Sequence, residues 1–210
     1  MLGSCEQAQR KDIDSEIKKD STKEILTIPK DENKDREIWQ KPELVISMMG
    51  DLSGKTVADI GAGTGYFTFR LALQANKVLA IDIEKSYLEI LDNLKQKLPS
   101  EIQDKIETRI AKEDNPQLKD EEVDLIVIIN TLNVIDNKLD YLKTLKQGLK
   151  KGGKLFIIDF KMKNIPIDAP DINDRLPIYD LEKDLNKAGF KNIRTDDTTL
   201  DYQYIVVAEK

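Results

Sequence analysis

The residues whose spacing is most typical of a ligand site lie in the segment Val57 to Ala72, VADIGAGTGYFTFRLA. Glycine stands at Gly61, Gly63 and Gly65, and because glycine lacks a Cβ atom, it permits tight turns and close approach of a ligand to the main chain. The dinucleotide fingerprint is GxGxxG, whereas these glycines give GxGxG, with Tyr66 where the third glycine is expected. The spacing therefore disfavours a nicotinamide dinucleotide.

Two carboxylates flank this glycine loop. Asp59 stands two residues before Gly61, where it would repel a pyrophosphate but attract an ammonium group. Asp82 follows Gly61 by 21 residues, a position from which an acid accepts hydrogen bonds from both hydroxyls of a ribose. Either aspartate alone is explained as the cap of a turn or helix, but their joint spacing favours a zwitterionic nucleoside with a free 2′-hydroxyl.

Short runs rich in valine, isoleucine and leucine alternate with amphipathic stretches, which predicts an α/β fold with a doubly wound, mostly parallel sheet. The predicted strands are 55–60, 77–82, 105–110, 123–130, 154–160, 190–195 and 202–208. The predicted helices are 41–49, 66–74, 85–98, 138–150 and 178–188. The last two strands are close enough to form a hairpin, so the final strand should be antiparallel. The glycine loop then lies at the carboxyl edge of the sheet, where such folds bind ligands.

Composition limits the classes of partner. Lys and Arg number 33 against 39 Asp and Glu, giving a net charge of −6, which opposes binding to a nucleic acid backbone. The chain has no histidine and one cysteine, Cys5, so we expect no metal site and no disulfide within the chain. The acidic balance argues against RNA or DNA, and the short chain shows no obvious extra domain for recognising a protein, so we expect a small-molecule substrate.

Residues 1–35 are polar and highly charged, and we expect a flexible tail before a single domain at 36–210. The chain contains no run long enough for a transmembrane segment, which favours a cytoplasmic location. Leu2 to Cys5, however, resembles the end of a bacterial lipoprotein signal that lacks its apolar core. The alternatives are a chance match and, if a longer precursor exists, a membrane-anchored lipoprotein lipidated at Cys5.

An ordered set of motifs resembles the class I S-adenosylmethionine-dependent methyltransferases. The likeness covers about residues 36 to 210 and is greatest for bacterial relatives of the ubiquinone and menaquinone C-methyltransferases. It rests on DIGAGTGYFT (59–68), AIDIEKSYLEIL (80–91), KEDNP (112–116), VDLIVIIN (123–130) and LKKGGKLFIIDF (149–160). The resemblance implies a Rossmann-like seven-stranded sheet, S-adenosylmethionine as the cofactor, and methyl transfer by direct displacement.

The resemblance also implies a role for each matching residue. Asp59 and the backbone from Gly61 to Gly65, including Ala62, would hold the methionine end of the cofactor. Asp82 would bind the ribose, and Ile83 would lie against the adenine. The remaining implied residues are Glu113 or Asp114 at the adenine amino group, unless both are solvated loop acids, and Asn130 on the methyl-transfer face.

The acceptor pocket should be framed by the loop 164–177 and by the segment near Trp39. Trp39 would be a substrate lid or a core anchor, and Arg175 would bind a substrate anion or pair with Asp174. Gly152 and Gly153 are interpreted as a helix stop. No catalytic base is evident in the sequence.

The chain departs from the resembled branch after Asn130. Where that branch usually has a tyrosine and paired histidines, this sequence has Leu132, Asn133 and Val134. The departure leaves three hypotheses: a small-molecule methyltransferase, a noncatalytic protein that binds S-adenosylmethionine, and a nicotinamide-dependent oxidoreductase. The GxGxG spacing and Asp59 disfavour the third.

Overall fold

A seven-stranded sheet with the strand order β3-β2-β1-β4-β5-β7-β6 forms the centre of the computed structural model, which describes residues 35–210. The strands are β1 (Thr56–Ile60), β2 (Lys77–Asp82), β3 (Ile106–Ile110), β4 (Val123–Ile129), β5 (Leu149–Phe160), β6 (Lys191–Asp196) and β7 (Gln203–Glu209). Strands β1 to β5 pair in parallel, and β7 is antiparallel to both of its neighbours. Consecutive residues of β1, β2 and β4 are buried, so both faces of the central sheet are covered. The predicted doubly wound fold with an antiparallel last strand is confirmed.

The helices are α1 (Arg36–Gln40), α2 (Pro42–Met48), α3 (Thr68–Ala72), α4 (Lys85–Lys95), α5 (Ser100–Gln103), α6 (Lys138–Gly148) and α7 (Ile178–Ala188). Short 3₁₀ turns lie at Leu132–Val134 and Ile172–Asp174. The bounds of α7 agree with the prediction, whereas α3, α4 and α6 are shorter than predicted. Sequence reasoning missed α1 and α5. The backbone of Lys41 is left-handed, with φ of 48°, and since the next residue is Pro42, α1 and α2 remain separate helices.

The prediction that Gly152 and Gly153 stop a helix is wrong. Helix α6 already ends at Gly148, and β5 begins at the next residue. The pairing of β5 with β4 shifts register before Lys154, so the two glycines lie in a bulge. A Cβ atom on Gly153 would lie 2.8 Å from the Lys150 carbonyl oxygen, and glycine therefore permits a close approach of backbone atoms here.

The main core cluster lies between the sheet and helices α6 and α7. Leu142 and Leu145 of α6, and Leu181 and Leu185 of α7, are buried at helical spacing against the sheet strands. Gly189 adopts φ of 84° and ends α7, which agrees with the predicted end of this helix at residue 188. This packing fixes the positions at which β4 and β5 emerge at their carboxyl edge.

Two findings concern only residues 35–210. None of their helices combines the length and apolar character needed to cross a membrane. Nor does this part of the chain bring together three or more side chains suited to holding a metal ion. The expected tail up to Lys34 and the alternative of lipidation at Cys5 lie outside the described residues, so these hypotheses and the cytoplasmic location stay predictions.

Candidate functional site

The glycine loop joins the carboxyl end of β1 to α3 and is tied to the end of β2. The backbone N–H groups of Gly61 and Ala62 both donate to the carbonyl oxygen of Ile81, at 2.8 and 3.1 Å. The N–H of Gly63 donates to Oδ2 of Asp82 at 2.7 Å. The loop backbone and the carboxylate that sequence analysis assigned to one ligand are therefore in direct contact.

The three glycines of the loop have different surroundings, although all have a positive φ. A Cβ atom on Gly61 would lie 2.1 Å from Oγ1 of Thr131, and one on Gly65 would lie 2.6 Å from the ring of Phe69. A Cβ atom on Gly63 would have no atom within 4 Å. Gly61 and Gly65 thus permit close packing, whereas Gly63 borders open space that a ligand can occupy.

Asp82 is the last residue of β2 and is 8% exposed. Besides the bond from Gly63, its Oδ1 atom accepts a hydrogen bond from the N–H of Glu84 at 2.9 Å. The carboxylate therefore caps two turns, which is the alternative that sequence analysis left open. Each oxygen has a second lone pair, so these contacts still permit hydrogen bonds from ribose hydroxyls. Ile83 follows it and is 48% exposed.

Asp59 is buried near the end of β1. Its Oδ2 atom accepts a hydrogen bond at 2.7 Å from Oγ1 of Thr68, the first residue of α3. Burial raises the pKa of Asp59 to about 6, while this hydrogen bond and the positive charge of Arg36 oppose the increase. A buried carboxylate with a raised pKa is stabilised in its ionised form by an added cation, which is what an ammonium group would supply.

Asn130 follows β4 and has a left-handed backbone, with φ of 56°. Its side-chain oxygen accepts a hydrogen bond from Nε2 of Gln203, whose Oε1 atom in turn accepts one at 2.9 Å from Nε2 of Gln40. The Oε1 atom of Gln40 accepts a hydrogen bond from Nε of Arg36. We call these four residues the amide relay. Gln40 and Gln203 are fully buried, and the relay therefore fixes the side chain of Asn130 from the protein interior.

Sequence reasoning missed three members of the relay, Arg36, Gln40 and Gln203. Gln40 and Gln203 are 163 positions apart. Arg36 and Gln40 lie in the segment REIWQ, which has no spacing that indicates their partners. Their contacts arise from the fold, because α1 crosses to the start of β7.

Trp39 lies in α1, directly before Gln40 of the relay. Its ring centroid is 6.1 Å from that of Phe160 and 6.5 Å from that of Tyr202, and the side chain is half-buried. This cluster ties α1 to the end of β5. The contacts agree with the interpretation as an anchor, and its partial exposure leaves the role of a lid as a prediction.

Arg175 holds the loop after β5 in place. Its Nε atom donates to the carbonyl oxygen of Pro170 at 2.9 Å, and Nη1 donates to those of Lys161 and Lys163 at 2.8 and 2.7 Å. No salt bridge joins Arg175 to Asp174 in the described residues, so the alternative prediction that Arg175 pairs with Asp174 is wrong. Binding of a substrate anion by Arg175 stays a prediction.

Glu113 and Asp114 lie in an exposed turn after β3. The turn is closed by hydrogen bonds from the N–H of Lys112 to the carbonyl oxygen of Asn115, at 2.8 Å, and in the reverse direction at 3.1 Å. Neither acidic side chain has a hydrogen bond or salt bridge within residues 35–210. The choice between them as an adenine ligand therefore stays open.

An open cleft of about 720 Å³ lies between the segments that follow β4 and β5. Its lining includes Asn133, Val134, Lys138, Pro170, Arg175 and Leu176. Asp159 of β5 is 1% exposed, and its Oδ2 atom has no hydrogen-bond partner. Burial raises the pKa of Asp159 to about 6, against the opposing charges of Lys138 and Arg175. Sequence analysis treated Asp159 only as part of a strand and missed it.

Comparison with known proteins agrees with the predicted fold and family. Residues 51–203 match the family model described as a methyltransferase domain. A solved S-adenosylmethionine-dependent methyltransferase from Aquifex aeolicus is similar with a TM-score of 0.76 and 26% identity, over 93% of this chain and 97% of that one.

Curated relatives differ in the acceptor that their names state. Phosphoethanolamine N-methyltransferase 1 of Triticum aestivum is 31% identical over 75% of this chain and 31% of the relative. Demethylmenaquinone methyltransferase of Tropheryma whipplei is 31% identical over 54% of this chain and 45% of the relative. A tRNA U34 carboxymethyltransferase of Ectopseudomonas mendocina is 31% identical over 73% of this chain and 51% of the relative. The chain thus spans about a third to a half of the length of these relatives.

Proposed function

This chain belongs to the methyltransferase domain family, whose cofactor is S-adenosylmethionine, and we propose that it transfers a methyl group to a small-molecule acceptor by direct displacement. The observation that carries the proposal is the contact between the glycine loop and Asp82, beside open space at Gly63. Buried Asp59 at the other end of the loop supplies the charge that the ammonium group of the cofactor needs. The residues present therefore fit this cofactor.

In this proposal, some residues bind the cofactor and others position the acceptor. Asp82 binds the ribose hydroxyls, and Ile83 contacts the adenine together with Glu113 or Asp114. Asp59 holds the ammonium group, while Asn130 lines the face on which the acceptor approaches. The cofactor supplies a methyl group already activated by the positive sulfur, so the chain acts mainly by orienting the acceptor and excluding water. Trp39 and Arg175 frame the acceptor pocket in this proposal.

A small-molecule acceptor is favoured by charge. The net charge of −6 opposes binding of a phosphate backbone, although one relative is named for a tRNA substrate. Two other relatives are named for a quinone precursor and for phosphoethanolamine, which are both small molecules. The cleft of about 720 Å³ beside Asn133 is large enough for an acceptor of that size.

Calorimetric titration with S-adenosylhomocysteine tests the cofactor site first. We expect the wild-type chain to bind one equivalent, and Asp82→Ala to weaken binding by at least about tenfold because ribose hydrogen bonds to a charged group are lost. Asp104→Ala is the matched control, since Asp104 is exposed and lies in the turn after α5. Absence of binding by folded wild-type protein would overturn the proposal.

Measurement of turnover tests the second part of the proposal, that the chain transfers a methyl group to a small molecule. Consumption of S-adenosylmethionine with small amines or quinols, but not with tRNA, is the expected result. Binding without turnover of any acceptor would favour the noncatalytic alternative, and turnover of tRNA alone would replace the acceptor class.

A further inference from the structure

Two arginines lie beside the aromatic ring of Tyr66, directly after the glycine loop. The Cζ atoms of Arg36 and Arg70 are each 4.1 Å from the centroid of that ring. The side chain of Arg70 is 2% exposed, with Nη2 at 2.9 Å from Oε1 of Glu37 and Nε at 3.4 Å from Oε1 of Glu43. The charge of Arg70 is therefore balanced by two carboxylates.

Arg36 lacks such a balance. Within residues 35–210, no carboxylate oxygen lies within 4.0 Å of its guanidinium, and its one side-chain hydrogen bond is donated by Nε to Gln40. Burial lowers the pKa of Arg36, which shows that removal from water makes its charge costly. The Tyr66 ring and Gln40 hold the guanidinium in place, while Nη1 and Nη2 have no hydrogen-bond partner in this part of the chain.

The position of Arg36 indicates which kind of anion would pair with its guanidinium. Arg36 and Asp59 act on each other electrostatically, and Cζ of Arg36 is 5.7 Å from the ring centroid of Phe67 at the start of α3. The guanidinium of Arg36 thus lies over Tyr66 and near Phe67, directly after the glycine loop, and its positive charge opposes the increase that burial causes in the pKa of Asp59, just before that loop. An α-amino acid carries an ammonium and a carboxylate on one carbon, and a rigid guanidinium is suited to binding a carboxylate through two hydrogen bonds.

We propose that Arg36 binds the α-carboxylate of S-adenosylmethionine through its two Nη atoms, while Asp59 binds the ammonium group. This inference rests on the proposed function. It assigns a second role to α1, because the residue that binds the carboxylate also begins the amide relay to Asn130. Occupancy of the carboxylate site therefore stabilises α1 against the sheet and keeps Trp39 beside Phe160.

The test compares two ligands that differ only in the carboxylate, S-adenosylmethionine and its decarboxylated form. For the wild-type chain, we expect the decarboxylated form to bind about ten to a hundred times more weakly, as for loss of a charge-assisted bidentate pair. For Arg36→Met, affinity for S-adenosylmethionine should fall by a similar factor, whereas affinity for the decarboxylated form should change less than about twofold. Arg194→Met is the matched control, because Arg194 is exposed on β6.

Thermal unfolding of each variant establishes that the titrated protein is folded, and Arg36→Lys provides a second variant that keeps the charge without the bidentate geometry. We expect Arg36→Lys to bind S-adenosylmethionine with intermediate affinity. If Arg36→Met weakened both ligands equally, or weakened neither, the assignment of Arg36 would be overturned while the proposed function stood. If wild-type protein bound neither ligand, both would be overturned.

Discussion

The glycine loop and the amide relay both belong to the candidate site, but they are assembled from different parts of the chain. In the loop, hydrogen bonds join residues that are close in sequence, such as the N–H of Gly63 and Asp82, 19 positions apart. In the relay, Gln203 binds Gln40 across 163 positions and Asn130 across 73. The loop presents backbone groups to a ligand, whereas the relay orients a side chain.

This difference determines how each region tolerates substitution. The loop depends on the absence of atoms, because an added Cβ at Gly61 or Gly65 meets a neighbour. The relay depends on the presence of polar atoms, since its two glutamines are fully buried and a lost partner leaves a buried amide unsatisfied. Adding a methyl group should therefore damage the first region, and removing an amide should damage the second.

The largest effect is expected for Gly61→Ala. The new Cβ would lie 2.1 Å from Oγ1 of Thr131, and alanine would also have to adopt φ of 75°. Overpacking and backbone strain each cost about 1–3 kcal/mol, so we expect the free energy of unfolding to fall by about 3–5 kcal/mol. Chemical denaturation with a circular dichroism signal measures this change.

Gly54→Ala separates the cost of backbone strain from the cost of overpacking. Gly54 has nearly the same φ, 73°, but a Cβ there would have no atom within 4 Å. We expect this control to lose only about 1–2 kcal/mol, from backbone strain alone. Equal losses for the two variants would show that the contact with Thr131 relaxes without cost, and the loop would not be limited by packing.

A smaller loss of stability, about 1–3 kcal/mol, is expected for Gln203→Leu. The substitution leaves Nε2 of Gln40 and Oδ1 of Asn130 without their partners in the protein interior. Because Asn130 is then free to reorient, we expect the rate of methyl transfer to fall by about tenfold or more. Affinity for S-adenosylhomocysteine should change less, by about threefold at most, because the loop contacts remain. Parallel titration and turnover measurements check this split.

A double-variant cycle sharpens the comparison. Each single change leaves the amide of the other glutamine unpaired, and the double variant Gln40→Leu with Gln203→Leu removes both of these amides. The combined loss of stability should therefore be smaller than the sum of the single losses. Gln147→Leu is the control, since the side chain of Gln147 is exposed. Strictly additive losses would mean that the bond between the two glutamines contributes nothing to stability.

The difference between contacts among sequence neighbours and contacts among distant residues explains what could be predicted from the sequence. Helix α7 and the end of β2 at Asp82 followed from local patterns, since amphipathic spacing and strand propensity are properties of neighbouring residues. The motif order gave the fold and the cofactor. The bulge at Gly152 was missed because register depends on the partner strand β4. Gln40 and Gln203 were missed because a buried glutamine acquires its role only from a distant partner.

The candidate site residues, too, could be recognised from the sequence only where the pattern is local. Asp59 and Asp82 could be singled out because their spacing relative to Gly61 is a local property. The partners of Arg175 are three carbonyl oxygens of its own loop, and no sequence pattern indicates that geometry. The roles assigned to these residues in binding remain predictions until they are measured.

The smallest expected effect concerns pH and Asp59, whose pKa burial raises to about 6. Protonation removes the charge that attracts the ammonium group, so affinity for S-adenosylhomocysteine should fall by up to about tenfold per pH unit below pH 6. Asp59→Asn should bind more weakly at pH 8 and show a flatter profile. Titrations from pH 5 to pH 8 measure both curves.

Stability should change in the opposite direction over the same range. Because the folded-state pKa of Asp59, about 6, lies above the 3.8 of an exposed aspartate, the contribution of this group to stability is fully present below about pH 4 and is lost as pH rises through 6. The unfolding free energy of the wild type relative to Asp59→Asn should therefore fall from pH 4 to pH 7, while cofactor affinity rises. A carboxylate that only accepts the hydrogen bond of the Thr68 hydroxyl would give the stability curve without the affinity curve. Measuring both separates this structural role of Asp59 from a role in binding.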